Sequence, residues 1–125
     1  MPLTSFRTSV LAEEKGNEML IVTTNDLAGW RITKVLGEVN GLTVRTRNVG
    51  AQLGASLKAL GGGELRGLTK QLQEARAEAL ERLSESAAAL GATAVVAMRY
   101  DSNELAGTFQ EILAYGTAVI AEPLT

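Results

Sequence analysis

Apolar residues recur at steps of three and four between residues 65 and 90: Leu65, Leu68, Leu72, Ala75, Ala79, Leu83, Ala87 and Leu90. That spacing predicts one long amphipathic helix over 64–91, with a single stripe to bury. Lys70, Gln73, Glu74, Glu78, Glu81, Arg82 and Glu85 fall on the opposite side, with Glu78 and Arg82 at the supportive i,i+4 spacing. Gly91 suits the left-handed position just past a helix end.

The flanking segments carry a shorter period. Residues 19–24 (MLIVTT) form a compact strand pattern ended by Asn25 and Asp26. In 30–39, alternation puts Trp30, Ile32, Lys34 and Leu36 on one face and Arg31, Thr33, Val35 and Gly37 on the other, with a bend expected at Gly37. Asn40-Gly41 followed by LTVRTR predicts either a hairpin over 30–47 or one long bent strand with a bulge at that dipeptide. Leu53, Leu57 and Leu60 suggest a short helix despite Gly54, ended by Gly61-Gly62-Gly63.

Beyond Gly91, ATAVVAMRYD is an apolar strand, SNELAG its loop, and TFQEILAYGTAVIAE a long returning strand. Phe109, Leu113, Tyr115 and Val119 share one face of that last strand, with Glu111 and Thr117 between them. Ile112, Ala114, Ala118 and Ile120 take the other. Both faces are substantially apolar, and one helix covers only one of them. The pattern therefore calls for a partner on the second face, so that oligomerisation completes the fold.

A length of 125 residues fits one domain. Residues 1–18 show no sustained period and read as a loosely attached extension, the alternative being a short element docked on a neighbouring subunit. Residues 19–125 form the α+β domain, and Met19, where the ordered pattern begins, is an alternative start. With 4% aromatic residues the core is aliphatic, and Trp30 reads as a core or interface anchor. A net charge of −2 gives no electrostatic case for nucleic acid or an anionic membrane surface. No apolar run reaches the ~18 residues of a membrane span, and no signal pattern opens the chain, which makes the cytoplasm the expected compartment.

Cysteine and histidine are both absent from the sequence. Disulfides, thiolate sites, Cys nucleophiles and the Ser–His pair are thereby excluded, along with the imidazole that most transition-metal sites use. A Ser–Lys arrangement would need Lys15, Lys34, Lys58 or Lys70 desolvated beside a serine, and Ser56 and Lys58, two apart on a helix, point in different directions. No catalytic residue and no cofactor are assigned, and enzymatic activity is not expected. The Gly61-Gly62-Gly63 run before a helix is a turn and cap, since Glu64 at that terminus would compete with an anion. What remains for a metal is a weak oxygen-only set: Asp101 and Glu104 around the SNELAG loop, and Glu38 and Glu111 within strands. The loop lacks the acidic density of a calcium site. The strand carboxylates either face solvent or pair with a base such as Arg45, Arg47 or Arg99.

Gly62-Gly63-Glu64, Glu74-Ala75-Arg76 with Ala79-Leu80, Leu90-Gly91-Ala92 with Ala94-Val95-Val96, and Tyr115-Gly116-Thr117-Ala118-Val119 occur in that order. Gly37-Glu38-Val39 with Gly41 precedes them. As a set they resemble the YbjQ-like family of small bacterial proteins, described as "putative heavy-metal-binding", over residues 19–122. The resemblance implies a small α+β subunit, its antiparallel or mixed sheet packed on one long helix, similar to a dodecin subunit and assembling into a ring-shaped homopentamer. The function expected is a non-enzymatic homo-oligomeric structural or interaction module, with its own copies and an unidentified protein as partners. The alternative is a small-ligand or metal-binding protein with its site at subunit interfaces or on the ring axis.

Overall fold

Four strands and one helix follow one another in the described residues of the computed structural model. They are β1 (Leu20–Ile21), β2 (Trp30–Thr46), α1 (Arg66–Ala89), β3 (Ala94–Leu105) and β4 (Phe109–Pro123). The structure describes residues 19–46, 66–107 and 109–124, apart from the side chains of Arg66 and Leu68. The strands form one mixed sheet in the order β1-β3-β4-β2. β4 runs antiparallel to both neighbours and β1 pairs with β3 in parallel.

α1 lies across β2 and β4, and the sequence shows why it can come so close. Among its described side chains Ala75, Ala79, Leu83 and Ala87 are fully buried, so mostly methyl groups meet the sheet there. Beneath them the sheet offers Gly41, where an added Cβ would collide with the Ala79 carbonyl oxygen and the Leu83 amide. Two polar bonds fix the register: the Ser86 hydroxyl donates to the Asn40 carbonyl at 3.1 Å and Arg82 to the Leu42 carbonyl at 2.6 Å. The helix ends at Gly91 (φ 83°), whose N–H bonds the Ala88 carbonyl while the Ala92 N–H reaches Ala87. These are the paired bonds of a Schellman cap.

Several sequence expectations need correction. Asn40-Gly41 is no hairpin turn: β2 runs unbroken through it, because Gly41 serves the approach of the helix. The bulges in β2 lie instead between Ile32 and Lys34 and between Val35 and Gly37. They break the predicted alternation, so Trp30 and Ile32 pack away from the helix while Leu36 packs towards it. SNELAG is no loop either. β3 continues through Leu105, and the turn is carried by Ala106 and Gly107 at positive φ. Of MLIVTT only Leu20 and Ile21 form a strand, although Val22 and Thr24 go on bonding β3 through backbone groups. On the helix stripe, Leu72 and Leu90 are 36% and 50% exposed. Residues 1–18, the predicted helix near Leu53–Leu60, the Gly61–Gly63 run, Glu64 and Leu65 lie outside the described residues, as does the Leu68 side chain.

A third bulge explains the unpatterned run Ala94-Val95-Val96-Ala97-Met98. Register shifts between Val96 and Arg99, where Ala97 adopts φ 54° and donates its N–H to the Thr24 carbonyl at 2.8 Å. The inserted residue resets the phase, so Val95 and Met98 both face α1 while Ala94 and Val96 face away. The sheet thus has two cores. One, against α1, holds Val39, Val95, Met98, Ile112, Ala114 and Ala118 with the buried helix residues. The other, on the opposite face, is closed by the 22–30 segment, where Leu27 is buried against Ala94, Val96, Val119 and Ala121.

Candidate functional site

The 22–30 segment covers only one end of the face away from α1. Towards the β3–β4 turn no other described segment covers that face, and cross-strand pairing assembles it in rows. Val39, Gly41 and Thr43 of β2 point to the helix, so Asn40, Leu42, Val44 and Thr46 point away. Asn40 aligns with Tyr115 and Arg99, and Leu42 with Leu113 and Asp101. Val44 aligns with Glu111 and Asn103, and Thr46 with Phe109 and Leu105. Leu42, Val44, Leu105, Phe109 and Tyr115 are all exposed here although large and apolar. Polar side chains of Asn40, Arg99, Asp101, Asn103 and Glu111 are interspersed among them in the same rows.

Alternation along β4 puts apolar residues on both of its faces but does not mark Leu42, Val44 or Leu105. The available signal was the alternation of LTVRT, which only an unbroken β2 turns into a face. Trp30 takes its place as a half-buried member of the second core.

The carboxylates proposed from sequence are dispersed. On the face away from α1, Asp101 aligns with Leu113 and Glu111 with Asn103 in its open part, while Glu38 aligns with Thr117 in the row of the buried Val96. Glu104 aligns with Gln110 and so belongs to the helix side. Asp101 and Glu104 sit within the paired part of β3, not on a loop. The Asp101 carboxylate accepts the Ser102 N–H at 3.0 Å and the Asn103 amide at 3.5 Å. Of the bases expected to pair with Glu38 or Glu111, Arg45 bonds Glu78 at 2.6 Å, and Arg99 donates to the Thr23 and Met98 carbonyls. Arg47 lies outside the described residues. Among the described residues no group of three or more His, Cys, Asp or Glu is placed to hold a metal ion.

Residues 19–122 match a family of description "Putative heavy-metal-binding". The chain belongs to the YbjQ-like family. A UPF0145 protein of Streptomyces coelicolor is 61% identical over 102 residues, spanning 82% of this chain and 96% of the relative. One of Mycobacteroides abscessus is 54% identical over 106 residues, 85% of this chain and 99% of that one. Among solved structures, a protein of unknown function of the DUF74 family from Pediococcus pentosaceus superposes with a TM-score of 0.58. It is 18% identical and covers 83% of this chain and 98% of its own, a likeness in fold.

The donors of this YbjQ-like chain do not fit a soft heavy metal. It has neither imidazole nor thiolate, and of its three thioethers those of Met19 and Met98 are spent on the core beneath α1, while Met1 lies outside the described residues. None of the described helices is long and apolar enough to cross a membrane.

Proposed function

We propose that this YbjQ-like protein is a non-enzymatic interaction module that acts as a homo-oligomer, a pentameric ring in the form its family resemblance implies. The observation that supports it is the open half of the sheet, where Leu42, Val44, Phe109, Leu105 and Tyr115 are all exposed on one face. Copies that bury this surface gain apolar contact at no cost to the helix-side core, and the assembled ring then presents its remaining surface to a protein partner. The lack of any His or Cys supports a binding role over a catalytic one. Sedimentation equilibrium at micromolar concentration tests the assembly: an oligomer is expected, and a clean monomer refutes it.

A second reading has one observation in its favour. Asp101 and Glu111 lie on the open face that association would bury, and Glu38 on the same side of the sheet, so symmetry could gather copies of one carboxylate on an axis. The ion held there would be hard, such as Mg²⁺ or Mn²⁺, because every donor is oxygen. Native mass spectra recorded with and without Mn²⁺ separate the two readings: a bound ion per ring supports the second, and an unchanged ring mass the first.

A further inference from the structure

Leu72 sits on the buried stripe of α1 yet keeps over a third of its surface, because a groove of ≈ 410 Å³ opens beside it. The groove runs between the first turns of α1 and the outer part of β3 and β4. Leu72 and the buried Ile112 give it an apolar wall. Above them Arg76 is held over the Tyr100 ring, its guanidinium carbon 5.2 Å from the centroid. Among the described residues that guanidinium has no carboxylate partner, although arginines elsewhere on the surface do. Stacking on an aromatic face restricts the side chain and leaves its N–H edge available to a planar acceptor.

Ser102 and Gln110 complete the polar side. The Gln110 amide donates to the Ser102 hydroxyl oxygen at 3.0 Å, which fixes both side chains and leaves the hydroxyl proton to be donated into the groove. Asp101 also borders the groove, but its pairing with Leu113 assigns its side chain to the opposite face, and both carboxylate oxygens accept local N–H bonds. A charged fork and a hydroxyl donor therefore converge beside two aliphatic side chains. The complement of that arrangement is a carboxylate with a short hydrocarbon chain. Phosphate would satisfy the donors but would set its remaining charge against Leu72 and Ile112.

We propose that this groove is a binding site for a small aliphatic organic acid, its carboxylate on Arg76 and Ser102 and its chain against Leu72 and Ile112. The site lies on the helix side of the sheet, so it stands or falls independently of self-association through the open face. Its volume is within the range of small-molecule pockets.

The test is saturation-transfer NMR and isothermal titration of the full chain with hexanoate, 1-hexanol and inorganic phosphate as probes. Hexanoate is expected to bind saturably with a Kd of about 1 mM, a reasonable value for a ligand of so few atoms. Arg76→Gln should weaken it about tenfold, and Ser102→Ala by a smaller factor, since two bonds from a cationic donor outweigh one from an uncharged hydroxyl. Hexanol and phosphate should each bind at least about tenfold more weakly than hexanoate, lacking one half of the recognition. Arg76 and Ser102 are exposed, so circular dichroism should show both variants folded. Three results would overturn the proposal: no saturable hexanoate binding, unaltered binding by folded Arg76→Gln, or phosphate binding as tightly as hexanoate.

Discussion

Gly41 lies so close beneath Ala79 that a methyl group on its Cα would overlap the Ala79 carbonyl oxygen. The obstacle is helix backbone, held in place by the bonds from Ser86 and Arg82 to the Asn40 and Leu42 carbonyls. It cannot be relieved by turning a side chain. Gly41→Ala should therefore destabilise the fold by roughly 3 kcal/mol or more, at the upper end of overpacking costs. Urea denaturation followed by circular dichroism measures it, and a loss under about 1 kcal/mol would mean that α1 rides higher on the sheet.

The same glycine shows where a sequence is legible and where it is not. Asn-Gly is a turn signal because both residues tolerate positive φ. Here the glycine was selected for an absent side chain, a property that only the position of α1 reveals. The helix stripe was legible at Ala75, Ala79, Leu83 and Ala87, where period and packing agree. It failed at Leu72 and Leu90, because periodicity assigns a side but not how far the sheet extends beneath it. SNELAG read as a loop because its residues are polar, yet polar residues also suit a strand whose edge and outer face meet water. The weak metal candidates are scattered for a related reason: Glu38 is far from Asp101, Glu104 and Glu111 in sequence, and only strand register decides which of the four are neighbours.

Leu83 and Leu72 should behave differently despite sharing the stripe. Leu83 is fully buried, and Leu83→Ala should cost roughly 2–5 kcal/mol through lost contacts and a residual cavity. Leu72 borders the groove at 36% exposure, and its truncation should cost about 1 kcal/mol. Paired urea melts of the two variants check this. Equal losses would place the groove inside the core.

Glu78 pairs with Arg82 at the predicted i,i+4 spacing and also with Arg45 across to β2, at 2.5 and 2.6 Å. The second partner ties helix to sheet, which a pair confined to one helix does not. All three side chains remain more than a third exposed, so solvent screens the attraction. Glu78→Ala should cost about 1 kcal/mol at low ionic strength and distinctly less in high salt. Denaturation in both buffers measures this, and a salt-independent loss would point to lost packing of the side chain instead.

Self-association through the open sheet face predicts a separation between fold and assembly. Leu42 and Val44 are exposed in the subunit, so Leu42→Lys with Val44→Lys should leave its secondary structure intact. Buried against another copy, two unpaired ammonium groups would cost several kcal/mol, at least about 2 for each. The double variant should sediment as a smaller species. Glu85→Lys on the exposed outer face of α1 should assemble as the parent does. Dissociation by Glu85→Lys with persistence of the double variant would move the interface to the helix.

Metal binding is where this chain's chemistry departs from the description of its family. Tight zinc, copper or nickel sites are built from imidazole and thiolate, and the sequence contains neither. Met98 is buried and Met19 packs against the same core, so drawing a thioether onto an ion would open the contacts beneath α1. The oxygen donors on the face away from α1 stand in separate rows, where Glu38, Asp101 and Glu111 align with Thr117, Leu113 and Asn103. Symmetry can multiply one carboxylate but cannot supply a softer donor. Chelator-stripped protein should therefore bind Zn²⁺ and Cu²⁺ with Kd above about 1 µM, and any tighter ion should be a hard one such as Mn²⁺. Isothermal titration with the three ions decides the matter. If Mn²⁺ binds, Glu38→Gln, Asp101→Asn and Glu111→Gln, made singly, should identify the carboxylate by which variant abolishes the heat. A stoichiometric sub-micromolar zinc or copper isotherm would refute the prediction.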